Sequence, residues 1–171
     1  MRTVITYGGT TSDAMGVVVE RRPENVHALR QYQSYSVPGR NGILTIDSGT
    51  YGTYVQEYDV WVKADTISSL QDKAAAVASW LNGQAGFGRL DDALEPLVYR
   101  QALLNEQIEA ENIFNLVGRF TLAFLCQPER WLVSGETAVT FSAPGSITNP
   151  TQFDAKPMIT VNGTDGQIGR A

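Results

Sequence analysis

The stretch that decides the fold is residues 116–127, which read LVGRFTLAFLCQ. Apolar and polar side chains alternate along most of it, and a repeat of two residues is typical of a β-strand with one buried face. The apolar set is Leu116, Phe120, Leu122, Phe124 and Cys126, and the polar set is Arg119, Thr121 and Gln127. We expect the strand to end at Pro128, because proline cannot donate a backbone hydrogen bond.

A second long strand is predicted for Thr53 to Lys63. One face carries Tyr54, Tyr58, Val60 and Val62, and the other carries Glu57, Asp59 and Lys63 together with Val55 and Trp61. This strand is longer than the usual five or six residues. We therefore expect a neighbouring strand on each of its two edges.

The one convincing helix is predicted over residues 66–82. Thr66 is a suitable N-cap, since its hydroxyl can accept a hydrogen bond from a free backbone N–H. Three- and four-residue steps give one apolar stripe, formed by Ile67, Leu70, Ala74, Val77, Ala78 and Leu81. Gly83 suits the position that follows a helix. The stripe predicts a helix that packs on a sheet.

Turn signals divide the rest of the chain into short strands. Pro38-Gly39 predicts a type II turn, because proline presets the first central residue and glycine accepts positive φ at the second. Asp47-Ser48-Gly49 predicts another turn, and residues 133–142 predict an added strand. The fold class is mainly β, a β-sandwich or barrel-like domain with one α-helix packed on the sheet, or α+β in strict terms.

Length and composition predict one domain and part of a second. The chain has 171 residues, against roughly 150 for a typical domain. We assign residues 1–133 to a β domain that contains the helix 66–82. Residues 134–171, with turn signals at Pro144-Gly145 and Asn149-Pro150, are either a linker and the start of a truncated second β domain or a strand extension of the first.

The charge is concentrated in one stretch. The net charge of the chain is −5, and residues 91–111 carry six acids against Arg100 alone, which gives the same −5. Two interpretations stay open: a solvated hairpin, or an acidic surface facing an anionic molecule that must not bind. Arg21-Arg22 is the largest basic cluster, so the sequence lacks the basic patch of a nucleic-acid binder.

The residues that carry most enzyme chemistry are scarce. His27 and Cys126 are the only histidine and cysteine, so no catalytic pair or zinc cluster is indicated. Asp91 and Asp92 are adjacent and would point to opposite sides of a strand, which does not suit paired acid–base work. We expect no enzyme activity, no cofactor and no metal site. No apolar run is long enough to span a membrane, and no secretory signal is visible.

Five segments along the chain carry a family resemblance. The first is Ser36-Val37-Pro38-Gly39-Arg40-Asn41-Gly42, with Leu44-Thr45-Ile46-Asp47 and Gly49-Thr50-Tyr51 after it. The others are Trp80-Leu81 before Gly83, Leu90-Asp91-Asp92 with Tyr99-Arg100-Gln101-Ala102, residues 120–128, and residues 147–151 with Lys156-Pro157-Met158-Ile159. In order and spacing they resemble the distal tail proteins of siphoviruses, which are long-tailed, non-contractile phages.

The resemblance implies a structural protein of a phage or prophage. Its N-terminal domain would form a homo-hexameric ring, single or stacked, that joins the tail tube protein to the tip or baseplate proteins. DNA would pass through the ring without specific binding. The resemblance implies a place in the virion tail after synthesis in the bacterial cytoplasm. Receptor-binding proteins would attach through a second domain, which this sequence shortens or lacks.

Two sets of residues are candidates for a role in such a ring. Arg40 and Tyr51 are predicted at subunit contacts, since Arg bridges carboxylates and Tyr is favoured at interfaces; a turn residue in water and a core tyrosine are the alternatives. Glu106, Glu109 and Glu111 are predicted to face the channel. The competing functions are a tail tube-type ring subunit and a carbohydrate-binding β-sandwich module.

Overall fold

The structure is a computed structural model of the chain, and it describes residues 3–20, 24, 26–106, 111–113, 117–151 and 153–162, with the backbone alone at 111–113. The chain divides into two compact units, Met1–Thr137 and Ala138–Ala171. The first unit holds every helix and strand found among the described residues.

The first unit contains ten strands, one α-helix and one 3-10 helix in its described part. The early strands are β1 Ile5–Tyr7, β2 Thr10–Thr11, β3 Val17–Val19, β4 Arg30–Ser36, β5 Ile43–Tyr51 and β6 Tyr54–Lys63. Helix α1, Ile67–Asn82, follows them. The later strands are β7 Gly88–Asp92, β8 Val98–Leu104, β9 Glu111–Ile113 and β10 Val117–Leu132, and the 3-10 helix is Val133–Glu136.

One curled sheet, a half-barrel, forms the body of this unit. Its strand order is β2-β1-β7-β8-β10-β6-β3, every described pairing is antiparallel, and β9 also pairs with β10. Strand β10 is central, because its first part pairs with β6 and its last part with β8. Strands β4 and β5 form a separate two-stranded sheet.

The core lies on the inner face of the curled sheet. Phe124 is fully buried there, with ring centroids 5.1 Å from Tyr7 and 6.1 Å from Tyr58. The helix covers this face with its buried side chains, which are Leu70, Val77 and Leu81. The alternation predicted for β6 and β10 is confirmed, since its apolar set is buried; Leu116 lies outside the described residues. The mainly β class with one helix is confirmed, and of the two architectures left open the curled sheet is the barrel-like one.

Helix α1 begins at the predicted cap. The Thr66 hydroxyl accepts a hydrogen bond from the Ser69 N–H at 3.1 Å, and the Ser69 hydroxyl accepts one from the Thr66 N–H at 3.1 Å. This reciprocal pair satisfies two free donors of the first turn. Two positions of the predicted stripe are wrong: Ile67 and Ala74 are exposed, because the sheet meets the helix along a narrower line.

Three local predictions, two breaks and one strand, differ from the structure. Pro128 does not end β10, because it lies in an irregularity of the register between Cys126 and Arg130, where a strand tolerates a missing donor. Residues 47–49 do not turn the chain. They form a bulge inside β5, with Gly49 at a φ of 69° and its N–H bound to Asp47. Residues 133–142 form the 3-10 helix and irregular chain instead of a strand.

The second unit has no helix or strand among residues 138–151 and 153–162. Asn149 organises a local turn: its amide donates to the Phe153 carbonyl at 2.6 Å, and its side-chain oxygen accepts from the Thr151 N–H at 3.0 Å. Most of its large apolar side chains are exposed, among them Ile147, Met158, Ile159 and Val161. The assignment of residues 134–171 to a linker and a second domain stays a prediction.

Candidate functional site

The hairpin of β4 and β5 is the regular structure with the least covering from the rest of the chain. Its strands pair with each other and with no other described strand, in a register that places Tyr35 opposite Leu44 and Gln33 opposite Ile46. Every residue from 30 to 50 is exposed. A two-stranded hairpin is marginally stable at best in water, so a partner that covers it would stabilise it.

Apolar side chains lie on both faces of the hairpin. Tyr35, Leu44 and Ile46 share one face, where 48%, 40% and 50% of their surfaces are exposed. Tyr32 and Ile43 lie on the other face, at 58% and 63% exposure. Full burial of one such side chain contributes about 1.5–3 kcal/mol. The hairpin therefore has a driving force to bind an apolar surface on either side.

Arg40 lies in the turn at the tip of the hairpin. Its backbone N–H donates to the Val37 carbonyl oxygen at 3.2 Å, and Gly39 has a φ of 78°. With Pro38 before the glycine, this geometry is the predicted type II turn. The Arg40 side chain is exposed and forms no ion pair with a described residue, so a cation is presented at the tip.

Tyr51 lies at the other end of the hairpin, where it meets the body of the protein. It is half-buried and pairs with Arg30, whose guanidinium is 5.9 Å from the Tyr51 ring centroid. Arg30 also binds Asp47, with 2.9 Å from Nε to Oδ1 and 2.5 Å from Nη2 to Oδ2. The hydrogen bond from Arg30 lowers the pKa of Asp47. Arg40 and Tyr51 therefore lie at opposite ends of the hairpin, and the six steps of β4 from Arg30 to Ser36 correspond to about 20 Å at roughly 3.3 Å per residue.

The acidic stretch 91–111 is not uniformly acidic at the surface. Asp91 and Asp92 point to opposite sides of β7, as predicted. The Asp91 carboxylate is 2.7 Å from Nη2 of Arg89, and Oδ2 of Asp92 accepts a hydrogen bond from the buried Tyr58 hydroxyl at 3.1 Å. Burial raises the pKa of Tyr58. Both carboxylates therefore have a partner within the chain.

Glu95, in the turn between β7 and β8, binds two arginines. One of its carboxylate oxygens lies 3.3 Å from Nη1 of Arg130, and the other contacts Nη2 of Arg100. Arg100 is 2% exposed, its Nε donates to the Tyr54 hydroxyl at 3.1 Å, and its Nη1 is buried without a hydrogen-bond partner. Burial alone would lower the pKa of Arg100; interactions with Tyr58, Tyr54 and Glu95 outweigh it and raise that pKa.

The predicted channel-facing acids lie in the second half of the acidic stretch. Glu106 is exposed just after β8. Glu109 lies outside the described residues. The backbone of Glu111 belongs to β9 and pairs with Arg119 of β10, while its side chain lies outside the described part. Their orientation towards a channel stays a prediction.

Polar side chains that the sequence patterns did not single out hold the segment leading into the hairpin. Gln56 is 2% exposed and donates to the Glu24 carbonyl oxygen at 2.9 Å. Arg130 donates to the Val26 carbonyl oxygen at 3.1 Å. A glutamine on the apolar face of β6 was the available signal, because a buried amide must find partners.

Neither Cys126 nor His27 shows catalytic geometry. The Cys126 thiol is fully buried, and burial raises its pKa to about 11, which keeps it protonated and unreactive near neutral pH. His27 is exposed, and its Nδ1 lies 3.3 Å from Nη2 of Arg130. Across the described ranges no group of three or more His, Cys, Asp or Glu residues could hold a metal ion. The one described α-helix is too short and too polar to cross a membrane.

The comparison with family models gives a match over most of the body of the protein. Residues 11–126, which include the hairpin and the helix, match the phage tail protein RIFT-related domain of siphovirus tail proteins. The chain belongs to this phage tail family. The resemblance stated from the sequence is confirmed at the level of the family. No curated protein matches the chain significantly.

A solved phage protein has the same fold. It is the Dit protein of SPP1, whose structure is described as a paradigm of the hub adsorption apparatus in phages that infect Gram-positive bacteria. The TM-score is 0.59 at 18% sequence identity, over 73% of this chain and 49% of that protein. The chain therefore spans about half the length of the solved protein it matches.

Proposed function

We propose that the chain is a distal tail protein, of which six copies form a ring that joins the end of a phage tail tube to the tail tip or baseplate. Membership of the phage tail family supports a structural role in a virion tail. The fold shared with a protein described as part of a hub supports the position at the tail end. The role is architectural, with no bond-making step.

The observation that carries the proposal is the uncovered hairpin. Five large apolar side chains stand exposed on its two faces, while both strands leave one edge without a described partner strand. Such edges pair readily with strands of another chain. When a hairpin of one copy binds the body of the next, the contact is head-to-tail, and contacts of this type close into a ring if the rotation divides the circle.

The charge of the chain suits a passage for DNA. Six copies at −5 would give a ring of −30. Asp91, Asp92 and Glu95 already have partners within each copy. We therefore place Glu106, Glu109 and Glu111 at the channel wall, where they would repel DNA and let it slide. Rings in which all three are changed to glutamine should retain a short DNA duplex longer in a low-salt filter assay. An outer-rim position of these residues in a ring structure would contradict this placement.

The remaining partners follow from the same position in the tail. The tail tube protein would bind one side of the ring and the tip or tail-associated proteins the other. We propose that residues 1–133 form the ring and that residues 134–171 lead towards the binding of peripheral proteins, since several apolar side chains there are exposed. Stacking of two rings is compatible with this arrangement.

Light scattering after size exclusion and negative-stain images of concentrated protein test the ring. We expect annular particles with a mass near six times 18.7 kDa, or twice that for stacked rings. Long tubes would indicate a tail tube subunit instead. A stable monomer at all concentrations would contradict the proposal.

A hairpin variant and a matched control show which surface forms the ring. The double change Leu44→Ser and Ile46→Ser should abolish rings and leave the monomer folded, because both side chains are exposed in the monomer. Ile67→Ser, which removes a side chain of 57% exposure on the helix, should leave the rings intact. Equal loss of rings in both variants would contradict the role of the hairpin.

A further inference from the structure

Among the described residues, the hairpin is joined to the rest of the protein mainly at its root. Strands β4 and β5 pack against each other and not extensively against another described element. On one side, two residues link Tyr51 to β6. On the other, β4 follows a segment of which Glu24 and residues 26–29 are described, and the Gly52 N–H donates to the Leu29 carbonyl oxygen at 2.9 Å. The direction of the hairpin therefore depends on how this root segment is held.

Two side chains of the sheet hold the root segment by its backbone. Gln56 of β6 donates to the Glu24 carbonyl, and Arg130 of β10 donates to the Val26 carbonyl. Val26 and Ala28 also pack their side chains against the core. A hydrogen bond from a charged donor contributes more to stability than one from a neutral donor. Arg130 therefore forms the stronger of the two hydrogen bonds to the root segment.

The Arg130 guanidinium is itself held in place. Arg130 and Arg100 are opposite each other in the pairing of β10 with β8, a position in which like charges repel. Glu95 binds both and offsets the repulsion. The forked guanidinium of Arg130 can thus bind Glu95 with Nη1 while Nη2 donates to Val26 and meets His27. The contacts form a continuous path from the buried Arg100 to the root of the hairpin.

We propose that Arg130 is a positioning residue for the hairpin: held by Glu95, it binds the root segment and sets the direction in which β4 and β5 leave the sheet. The effect of Arg130 on ring assembly rests on the proposed function, because a hairpin that points in many directions binds the next copy less often. The effect of Arg130 on the direction of the hairpin in the monomer does not depend on the ring.

Distance measurements between two spin labels test the direction of the hairpin. Labels at Asn41→Cys in the hairpin tip and Ala75→Cys on the helix occupy exposed positions, and the buried Cys126 stays unlabelled. The protein with native Arg130 should give one narrow distance. Arg130→Ala should lose it and give a broad distribution. An unchanged distribution in Arg130→Ala would overturn the proposal.

Arg119→Ala is the matched control. Arg119 lies on the same strand and forms an ion pair of 2.8 Å with Glu20, four residues before Glu24, instead of binding the carbonyls of the root segment. The Arg119→Ala variant should keep the narrow distribution of spin-label distances. If Arg130→Ala does not fold, Arg130→Lys carries the test, because lysine keeps the charge beside Glu95 but lacks the forked geometry. Arg130→Lys should give a broader distribution of spin-label distances than the native protein. A distribution as narrow as the native one would overturn the proposal.

Assembly is the second readout. Arg130→Ala should raise the concentration needed for rings at least about tenfold, since the loss of one hydrogen bond from a charged donor corresponds to a factor of this size or more, while Arg119→Ala should not change it. If the unaltered protein forms no rings, the proposed function fails, yet the spin-label distances still decide the role of Arg130. If rings form and both variants assemble equally, the link between hairpin direction and assembly is overturned.

Discussion

The central strands and the hairpin use similar sequences in opposite environments. Strand β6 alternates buried side chains with half-buried or exposed ones along its length, because the helix and the inner side chains of the curled sheet cover one of its faces. Strand β5 is nearly as long and also carries apolar residues at alternate positions, yet almost all of it is exposed. An alternating pattern thus identifies a strand, whereas burial depends on a covering surface. The curled sheet has such a surface within the chain, and the hairpin has none among the described residues.

Removing an aromatic ring should destabilise the protein far more in the core than in the hairpin. Phe124→Ala should lower the free energy of unfolding by about 3–5 kcal/mol, because it removes a buried ring and leaves a cavity. Tyr35→Ala should change it by less than about 0.5 kcal/mol, as surface substitutions usually do. Urea unfolding at a concentration too low for assembly measures both. Similar losses would show that the hairpin is part of the monomer core.

A smaller effect concerns pH and the core thiol. The pKa of Cys126 is about 11 in the folded protein against an ordinary 9.0. The contribution of the buried, protonated thiol to the free energy of unfolding is therefore fully present below pH 9 and is lost as the pH rises towards 11. The loss is about 2–3 kcal/mol. Urea unfolding between pH 8 and 11 should show a steeper fall for the native protein than for Cys126→Ala. If the free energy of unfolding fell equally with pH in both proteins, the Cys126 thiol would not be the cause.

The turn at the hairpin tip should give an effect of about 1–2 kcal/mol. Gly39 has a φ of 78° with open space around it, so Gly39→Ala adds conformational strain alone. Gly86 also has open space but no positive φ, and Gly86→Ala should be neutral or stabilising. Amide hydrogen exchange across β4 and β5 should quicken only in the Gly39 variant. Equal exchange in both would contradict the turn.

The smallest effect is expected at the root of the hairpin in acid. Arg30 holds the pKa of Asp47 below its ordinary value, so the stabilising contact is present above that ordinary value and is lost as the pH falls through the lowered one. The Gly49 N–H donates to Asp47 at 2.9 Å, and its NMR shift should follow the loss. Asp47→Asn should remove the acid transition. A transition that persists in this variant would belong to another group.

The sequence predicted what depends on local pattern. The alternation of β10, the cap at Thr66 and the turn at Gly39 all follow from the residues involved and their near neighbours, and all three occur in the structure. Burial on the helix was overestimated at Ile67 and Ala74, because which side of an apolar stripe meets the sheet depends on tertiary packing.

The sequence-based predictions that were wrong concern features that depend on contacts between distant residues. Asp47-Ser48-Gly49 has the composition of a turn, and only pairing with β4 shows it to be a bulge. Likewise the ion pairs of Glu95 join residues 5 and 35 positions apart, so the net charge of the acidic stretch could not reveal how much of it reaches the surface. The hairpin sequence signalled the family, but its exposure required the tertiary structure.

The irregularity at Pro128 leaves the inward-facing set of side chains on β10 unchanged. Between the pairs Cys126–Ala102 and Arg130–Arg100, strand β10 contains three residues where β8 contains one. The excess is two, an even number, so the strand resumes with the same set of side chains facing inward. An excess of one would have turned Trp131 towards the interior and Arg130 towards the outside.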